Sequence, residues 1–358
     1  MNNNPNALAR VLETVRTNRV LLLTVLLVVV VAAMMAFSAA GYTSGAYNPD
    51  YMATALINAV PLAMLGLAQM LVILSGRAGI DLSVGAVVSL SGVVFGFAYG
   101  IWEWPLWLAI LLAVAVGVVC GTMNGVLVAY IGFPPIIATL ATFYALKSLA
   151  LLVSNQSPIN TPPIQDFYSA AQAVEIPLVG AYLPLVPLGL LTFLVPVAVL
   201  VWFIVNRTTF GRTLYASGTN DTAALWAALP NRRTRCLSYS LAGGIAGLTG
   251  VFVVAQFASA RPDAGVTGNG MSLPAITIAV LGGVAITGGI GRVSGVLLAT
   301  LVVVWLNAGI LLLFPGNEGS QMQLLALGVL LLGASLLNGS LKIPWRRKVR
   351  QTSTTKAA

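Results

Sequence analysis

The stretch VLLLTVLLVVVVAAMMAFSAA, from Val20 to Ala40, decides the fold class, because it is as long as a membrane-spanning helix and holds no charged residue. A helix needs about 20 apolar residues to cross a bilayer, whereas the apolar core of a secretory signal has only about 7 to 15. The run is therefore interpreted as a retained helix. Its polar start contains Arg10, Arg16 and Arg19.

More apolar runs follow along the chain. They lie at about Tyr51 to Leu74, Leu82 to Tyr99, Pro105 to Tyr130, Pro134 to Val153, Pro184 to Val205, Cys236 to Ser259, Ser272 to Thr287, Val293 to Phe314 and Gln321 to Leu341. Only 8% of the 358 residues are charged, against roughly a quarter in soluble domains, so lipid must act as the solvent. The sequence predicts an all-α integral membrane protein with about ten transmembrane helices, in which the short eighth run could also be re-entrant.

The basic residues indicate how the helices are oriented. With the N-terminus inside, all of the 18 Lys and Arg residues except Lys147 and Arg261 fall on the cytoplasmic side, so both termini are predicted to be cytoplasmic. Runs two to five and seven to ten then form inverted-topology halves, as in many transporters. The predicted regions are a cytoplasmic N-terminal tail (1–19), a polytopic transmembrane domain (20–341) with a periplasmic loop (154–183) and a cytoplasmic loop (206–235), and a basic cytoplasmic tail (342–358).

The composition excludes several kinds of function. The chain has no His, and Cys120 and Cys236 lie in or beside apolar runs, so no metal site, disulfide framework or catalytic residue is predicted. The net charge of +9 is not concentrated on a polar domain, which argues against nucleic acid as a partner. No lysine follows a glycine as a phosphate-binding loop requires, so any ATP would be bound by another subunit.

Glycines recur every four residues in several runs. The spaced sets are Gly92, Gly96 and Gly100, then Gly117, Gly121 and Gly125, then Gly243 with Gly247. Because small residues let helix backbones approach closely in lipid, the spacing predicts tight helix packing and not a ligand site.

The segment SGRAGIDLSVG, from Ser75 to Gly85, brings a charged residue into the membrane region. Asp81 stands at the start of an apolar run, where its carboxylate could be the N-cap of a helix. A charge at membrane depth also marks a candidate functional site, and Gly79, Asp81, Ser83 and Gly85 are candidates for gating. Proton coupling through Asp81 would lack a partner acid in the membrane.

Neutral polar residues within the runs are candidates for a pathway that carries hydroxyl-rich solutes. They are Gln69, Asn124, Thr139, Thr142, Gln256 and Asn307. Each could instead form a hydrogen bond to a neighbouring helix, which is the commoner role of such residues in membranes.

The cytoplasmic loop contains the pattern of one short helix. Asn220 is a good N-cap, and Pro230 closes a helix of about two turns. Asp221 favours the first turn, and the helix exposes Leu225 and Trp226. An apolar tip held outside the membrane suits insertion into a groove of a partner protein, and a helix lying on the membrane surface is the alternative.

Three motifs carry a family resemblance. They are Gly79-Ile80-Asp81-Leu82-Ser83-Val84-Gly85, the loop Gly211-Arg212-Thr213-Leu214-Tyr215-Ala216 through Asn220 and Ala224, and Leu281-Gly282-Gly283 with Gly288-Gly289 and Gly291. In these motifs the chain resembles the membrane subunits of bacterial ABC importers for monosaccharides, the ribose-type permeases, which share ancestry with branched-chain amino-acid permeases. Arg77 and Ala78 depart from the family by interrupting the usual Gly-Gly before the first motif.

The resemblance implies a permease of a bacterial cytoplasmic (inner) membrane that is not itself an enzyme. It implies as partners a two-cassette ATPase that binds ATP and Mg, a periplasmic sugar-binding protein, and a second permease subunit in a homodimer or heterodimer. The cytoplasmic loop would hold the helix that couples to the ATPase. The candidate coupling residues are Gly211, Arg212, Tyr215, Gly218, Asn220, Asp221, Ala224, Leu225 and Trp226.

We expect the cargo to be a monosaccharide or related polyol. The alternatives are an ABC permease for nucleosides or branched-chain amino acids, and an ion-coupled secondary transporter.

Overall fold

The structure is a computed structural model that describes residues 19–174, 185–267 and 270–339, so 1–18, 340–358 and part of the predicted periplasmic loop lie outside the described residues. Within those ranges, nine helices are long and apolar enough to cross a membrane. They are α1 (Arg19–Ala39), α2 (Pro49–Leu74), α3 (Val84–Ile101), α4 (Leu106–Ile131), α5 (Pro135–Val153), α7 (Leu190–Arg207), α10 (Asn231–Phe257), α12 (Val293–Leu313) and α13 (Asn317–Gly339).

The described fold also contains short elements. Its short helices are α6 (Pro162–Asp166), α8 (Thr209–Thr219), α9 (Asp221–Trp226) and α11 (Ser272–Leu281). β1 (Ala173–Val174), in the predicted periplasmic loop, pairs antiparallel with β2 (Val186–Pro187), which follows that loop. Helices dominate because lipid offers the backbone no hydrogen-bond partner, so each apolar run satisfies its own N–H and C=O groups. The predicted all-α membrane fold is confirmed.

The eighth predicted run forms only a short helix. α11 has 10 residues and is about 15 Å long, half of the hydrocarbon thickness of about 30 Å. Residues 258–267 before it are not helical. They enter the bundle, since the backbone N–H of Gly265 donates to the Ser89 hydroxyl of α3 at 2.9 Å. In the described ranges, the ten predicted runs are therefore nine full-length helices and one that covers part of the membrane.

The two predicted inverted halves correspond to α2–α5 and α10–α13, and they interlock. α10 packs on α3 and α4, while α2 packs on α11 and α12. Each half also has a non-helical segment before its second helix, residues 75–83 before α3 and 258–267 before α11. The same pairing and the same break in both halves support the opposite topology that was inferred from the charges.

Closely spaced glycines form a tight helix crossing in this arrangement, as predicted. Gly117, Gly121 and Gly125 of α4 face α10, where a Cβ added at Gly125 would lie 2.7 Å from the Cys236 carbonyl oxygen. Gly117 meets Gly243 backbone to backbone. Since no larger side chain fits, these glycines hold α4 of one half against α10 of the other.

Candidate functional sites on the inner face and within the membrane

The inner face is the side of the bundle that carries α8, α9 and residues 282–292, and it is the side predicted to be cytoplasmic. Side-chain caps begin both helices on this face. The Thr208 hydroxyl accepts from Gly211 N at 3.2 Å, and Asn220 Oδ1 accepts from Ala223 N at 2.9 Å. Asn220 is thus the N-cap that the sequence predicts. α9 ends at Trp226, earlier than the closure predicted at Pro230.

α9 presents its apolar end to solvent. Leu225 is 67% exposed and Trp226 is 86% exposed, whereas the preceding Ala224 is buried. Arg232 and Arg233 are exposed at the start of the next helix, and Arg212 is exposed on α8. The predicted apolar tip beside basic residues is present, and it stands outside the spanning helices.

The base of α9 is held by ion pairs. Asp221 accepts from Arg77, which follows α2, at 2.7 Å and from Arg235 of α10 at 3.1 Å. Asn231 Nδ2 adds a hydrogen bond to Asp221 Oδ1 at 2.9 Å. Partial burial alone would raise the pKa of Asp221, but Arg235 and then Arg77 outweigh it and hold that pKa below its usual value. The carboxylate therefore stays charged and fixes α9 to the ends of α2 and α10.

The Arg77–Asp221–Arg235 cluster was missed in the sequence, because Arg77 is separated from Asp221 by a long stretch of chain and Asp221 and Arg235 lie on different helices. The signal that could have found it is Arg77 itself, which interrupts a Gly-Gly of the resembled family. The Arg235 side chain is only 2% exposed and also donates to the Ser75 carbonyl at 3.2 Å. A charge this buried needs a partner, and Asp221 supplies it.

α8 connects the same surface to the second half. The Tyr215 hydroxyl donates to the Gly291 carbonyl at 2.8 Å. Gly218 lies directly against the Leu74 carbonyl and the Gly289 backbone, leaving no space for a Cβ. Gly211 is similarly packed at the turn between α7 and α8. The two short helices therefore contact the inner ends of both inverted halves.

A second candidate site is the broken-helix junction, which we define as residues 79–85 with Ser272. Gly85 N donates to the Ser272 hydroxyl at 3.1 Å, and that hydroxyl donates to the Leu82 carbonyl at 2.8 Å. Gly85 also lies against the Gly265 backbone and Gly79 against the end of α2. The starts of α3 and α11, one from each half, thus meet inside the bundle.

Asp81 lies at this junction but is not the N-cap residue of α3. The helix begins at Val84, so the N-cap position falls on Ser83, two residues later than one of the interpretations of the sequence. Asp81 Oδ1 accepts from Ser83 N at 2.8 Å and from the Ser83 hydroxyl at 2.6 Å. The Ser83 side chain makes no cap hydrogen bond to α3. The Asp81 carboxylate instead accepts the hydrogen bonds of the turn that precedes the helix.

The other polar candidates around Asp81 form one buried network. Gln69 bonds both the N–H and the C=O of Asp81. Asn124 donates to the Ser83 hydroxyl at 2.8 Å and accepts from Thr142 at 2.7 Å, while Thr139 accepts from Leu82 N at 3.1 Å. Gln69, Asn124 and Thr139 have no exposed surface, and Thr142 has 6%. In this conformation they bond each other and the backbone, and a role in the pathway stays a prediction.

Asn307 lies apart, in a cavity of about 480 Å³ at the outer ends of α2, α10, α12 and α13. The polar side chains in its lining are all neutral: Tyr51, Thr54, Asn58, Gln256, Asn307 and Gln323. Gln256 Nε2 donates to Asn58 Oδ1 at 2.9 Å, while its buried Oε1 accepts no hydrogen bond from the described residues. We call this the outer cavity.

No group of three metal-ligating side chains occurs in the part of the chain that the structure describes. The arrangement instead provides an inner docking surface, a junction of broken helices and an outer cavity with neutral polar groups.

Comparison with known proteins identifies the family. The family described as "Branched-chain amino acid transport system / permease component" matches residues 51–336. A relative from Klebsiella pneumoniae subsp. pneumoniae, "Autoinducer 2 import system permease protein LsrD", is 33% identical over 85% of this chain and 89% of its own. A protein of the same name from Yersinia enterocolitica is 35% identical over 81% of this chain and 86% of its own. Another from Enterobacter sp. strain 638 is 33% identical over 85% of this chain and 90% of its own.

No solved structure matches the chain. The spanning helices and the bacterial relatives agree with the predicted localisation, a multi-pass protein of a bacterial inner membrane. The match covers nearly all of both inverted halves, including α9, the broken-helix junction and the lining of the outer cavity, and the chain belongs to the branched-chain amino acid transport system permease family.

Proposed function

We propose that this chain is the pathway-forming membrane subunit of an ATP-driven importer. The observation that carries the proposal is α9, whose Leu225 and Trp226 are exposed while Asp221 at its base is held by Arg77 and Arg235. An exposed apolar tip suits a groove in a separate ATPase, and its rigid base passes a displacement on to the membrane helices. ATP and Mg are bound by that ATPase.

Displacement of α9 would reach both halves at once. Arg77 precedes the broken-helix junction by a few residues, Arg235 is in the first turns of α10, and Tyr215 contacts the segment before α12. A rigid link to both halves is what alternating access requires, because the two halves must change their relation together. A second permease subunit, alike or a sister chain, and a periplasmic binding protein complete the proposed importer.

We propose a neutral, hydroxyl-rich cargo, namely a monosaccharide or related polyol. The outer cavity supports this, because its described polar lining consists of amide and hydroxyl groups. The names of the relatives say that they import autoinducer 2, which makes that solute the first to test. A branched-chain amino acid, the cargo in the family description, carries two charges that nothing charged in the described lining would meet.

The test is affinity purification of the chain from its native cells in mild detergent. We expect a two-cassette ATPase and a periplasmic binding protein to remain bound. Leu225→Asp with Trp226→Asp should lose the ATPase but still insert into the membrane, whereas the matched control Leu225→Met with Trp226→Phe should keep it. Equal retention of the ATPase by the Asp variant would overturn the assignment of α9.

One observation favours a second function, ion-coupled secondary transport. Asp81 is a carboxylate buried at a junction of broken helices, which is where such transporters bind their coupling ion. Uptake by the wild type and Asp81→Asn in vesicles with and without a pH gradient separates the two. Uptake driven by the gradient and abolished by Asp81→Asn would replace the ATP-driven proposal.

A further inference from the structure

A cavity of about 630 Å³ opens on the inner face, away from α9 and from the outer cavity. It lies between the start of α1, the end of α7, Tyr215 of α8 and the segment 282–292. Arg19 and Arg292 both line it, and no acidic residue is among its described lining. Two cationic groups thus share one concave site on the inner face.

Backbone forms much of the remaining wall. Gly283 has φ +87°, and a Cβ there would lie 3.4 Å from Cγ of Arg19, so the aliphatic part of that arginine lies across bare backbone. Gly289 has φ +72° and Gly291 also lines the cavity. A left-handed conformation favours glycine, and glycine leaves the peptide groups uncovered. The wall is therefore formed largely by glycine backbone, and its described lining contains no acidic side chain.

α12 adds a third positive contribution to the same cavity. The helix has 21 residues and begins at Val293, and Arg292 at its N-cap position makes no side-chain cap. The first N–H groups and the positive end of the helix dipole therefore point toward the Arg292 side of the cavity. Gly295 in this first turn is one of the lining residues.

We infer that this cavity binds a phosphate group, the headgroup of an anionic lipid being one source and a soluble phosphate the other. Guanidinium groups bind phosphate oxygens through paired hydrogen bonds, and a phosphate has enough oxygens for both arginines. Basic pockets between transmembrane helices on the cytoplasmic side are suited to anionic headgroups. The inference does not depend on the proposed function, because no residue of α9 is in the described lining of this cavity.

The test uses the purified full chain and two probes. Vesicles of phosphatidylcholine with added phosphatidylglycerol supply the lipid phosphate, and inorganic phosphate in phosphatidylcholine vesicles supplies the soluble one. Binding is measured by titration, together with native mass spectrometry of retained lipid. Arg19→Gln with Arg292→Gln should weaken phosphatidylglycerol binding about twenty-fivefold, taking about fivefold for each arginine.

Two controls keep charge and folding separate. Arg232→Gln with Arg233→Gln removes the same charge from exposed positions of the inner face and should leave binding unchanged. Arg19→Lys with Arg292→Lys keeps the charge and should retain most of it. If the Gln pair does not fold, Ile290→Glu, at a 59% exposed residue of the cavity wall, should abolish binding by placing a carboxylate there.

Specific weakening with phosphatidylglycerol assigns the site to a lipid, and specific weakening with inorganic phosphate alone assigns it to a soluble phosphate. Equal binding of both probes by the cavity variants and the Arg232/Arg233 control overturns the inference.

Discussion

The two arginines bound to Asp221 differ in burial, so their ion pairs should differ in strength. Arg235 is 2% exposed and Arg77 is 59% exposed, while Asp221 itself is 25% exposed. Removing one partner of a fully buried pair costs about 3–5 kcal/mol, and an exposed pair contributes about 0–1 kcal/mol. Since water reaches a quarter of Asp221, we expect about 2 kcal/mol of coupling to Arg235. We expect less than about 1 kcal/mol of coupling to Arg77.

Two double-mutant cycles measure these coupling energies. One combines Asp221→Asn with Arg235→Gln and the other combines it with Arg77→Gln, and the measured quantity is the free energy of unfolding in mixed micelles. Asn keeps the shape of Asp, so the cycles isolate the charge. The reasoning would be refuted if the coupling to Arg77 equalled or exceeded the coupling to Arg235, because burial would then not set the strength of the pairs.

Three further predictions concern stability. Folding lowers the pKa of Asp221, so the stabilisation from its carboxylate is complete above the unfolded pKa of about 4 and is lost as pH falls through the folded value. The difference in unfolding free energy between wild type and Asp221→Asn should therefore stay constant from pH 7 to 5 and shrink only below about pH 4. A difference that already shrinks at pH 6 would contradict this. Gly121→Ala should lose about 1–3 kcal/mol of unfolding free energy, because its Cβ would overlap a carbonyl of α10. In the control Gly328→Ala, the added Cβ has nothing within 4 Å, so the unfolding free energy should rise by about 0.5–1 kcal/mol. Equal effects of the two substitutions in thermal unfolding would argue against the close crossing of α4 and α10. Asn124→Ala removes the donor to the Ser83 hydroxyl and should cost about 1–2 kcal/mol of unfolding free energy. No loss in the same unfolding assay would mean that the buried network does not hold the junction.

Much of the architecture follows from local sequence. Apolar runs give the helices because lipid permits little else, and the spacing of Gly117, Gly121 and Gly125 gives a close contact. Asn220 caps α9 because a cap depends only on the next few residues. The glycine spacing cannot predict which helix packs against the glycine face of α4, since the contact of α4 with α10 is set by the packing of the whole bundle.

The candidate sites were predictable where they depend on local sequence and not where they depend on distant segments. The exposure of Leu225 and Trp226 follows from a short helix outside the membrane. The contacts of Asp221 with Arg77 and of Gln69 with Asp81 arise only after chain folding brings separate segments together. The sequence alone could not show that Asp81 lies before the N-cap position of α3, which begins at Val84. A carboxylate can accept backbone hydrogen bonds in the turn before a helix as readily as at the N-cap position.

The central claim is that this chain imports a neutral solute only when an ATPase acts on α9. Uptake of autoinducer 2 and of labelled monosaccharides into sealed vesicles, by the chain assembled with its co-purified ATPase and binding protein, tests it most directly. The account predicts uptake that requires ATP, survives collapse of the ion gradients, and is lost with Leu225→Asp and Trp226→Asp. Concentration of the same solute by the chain without the ATPase, driven by a pH or sodium gradient, would contradict it.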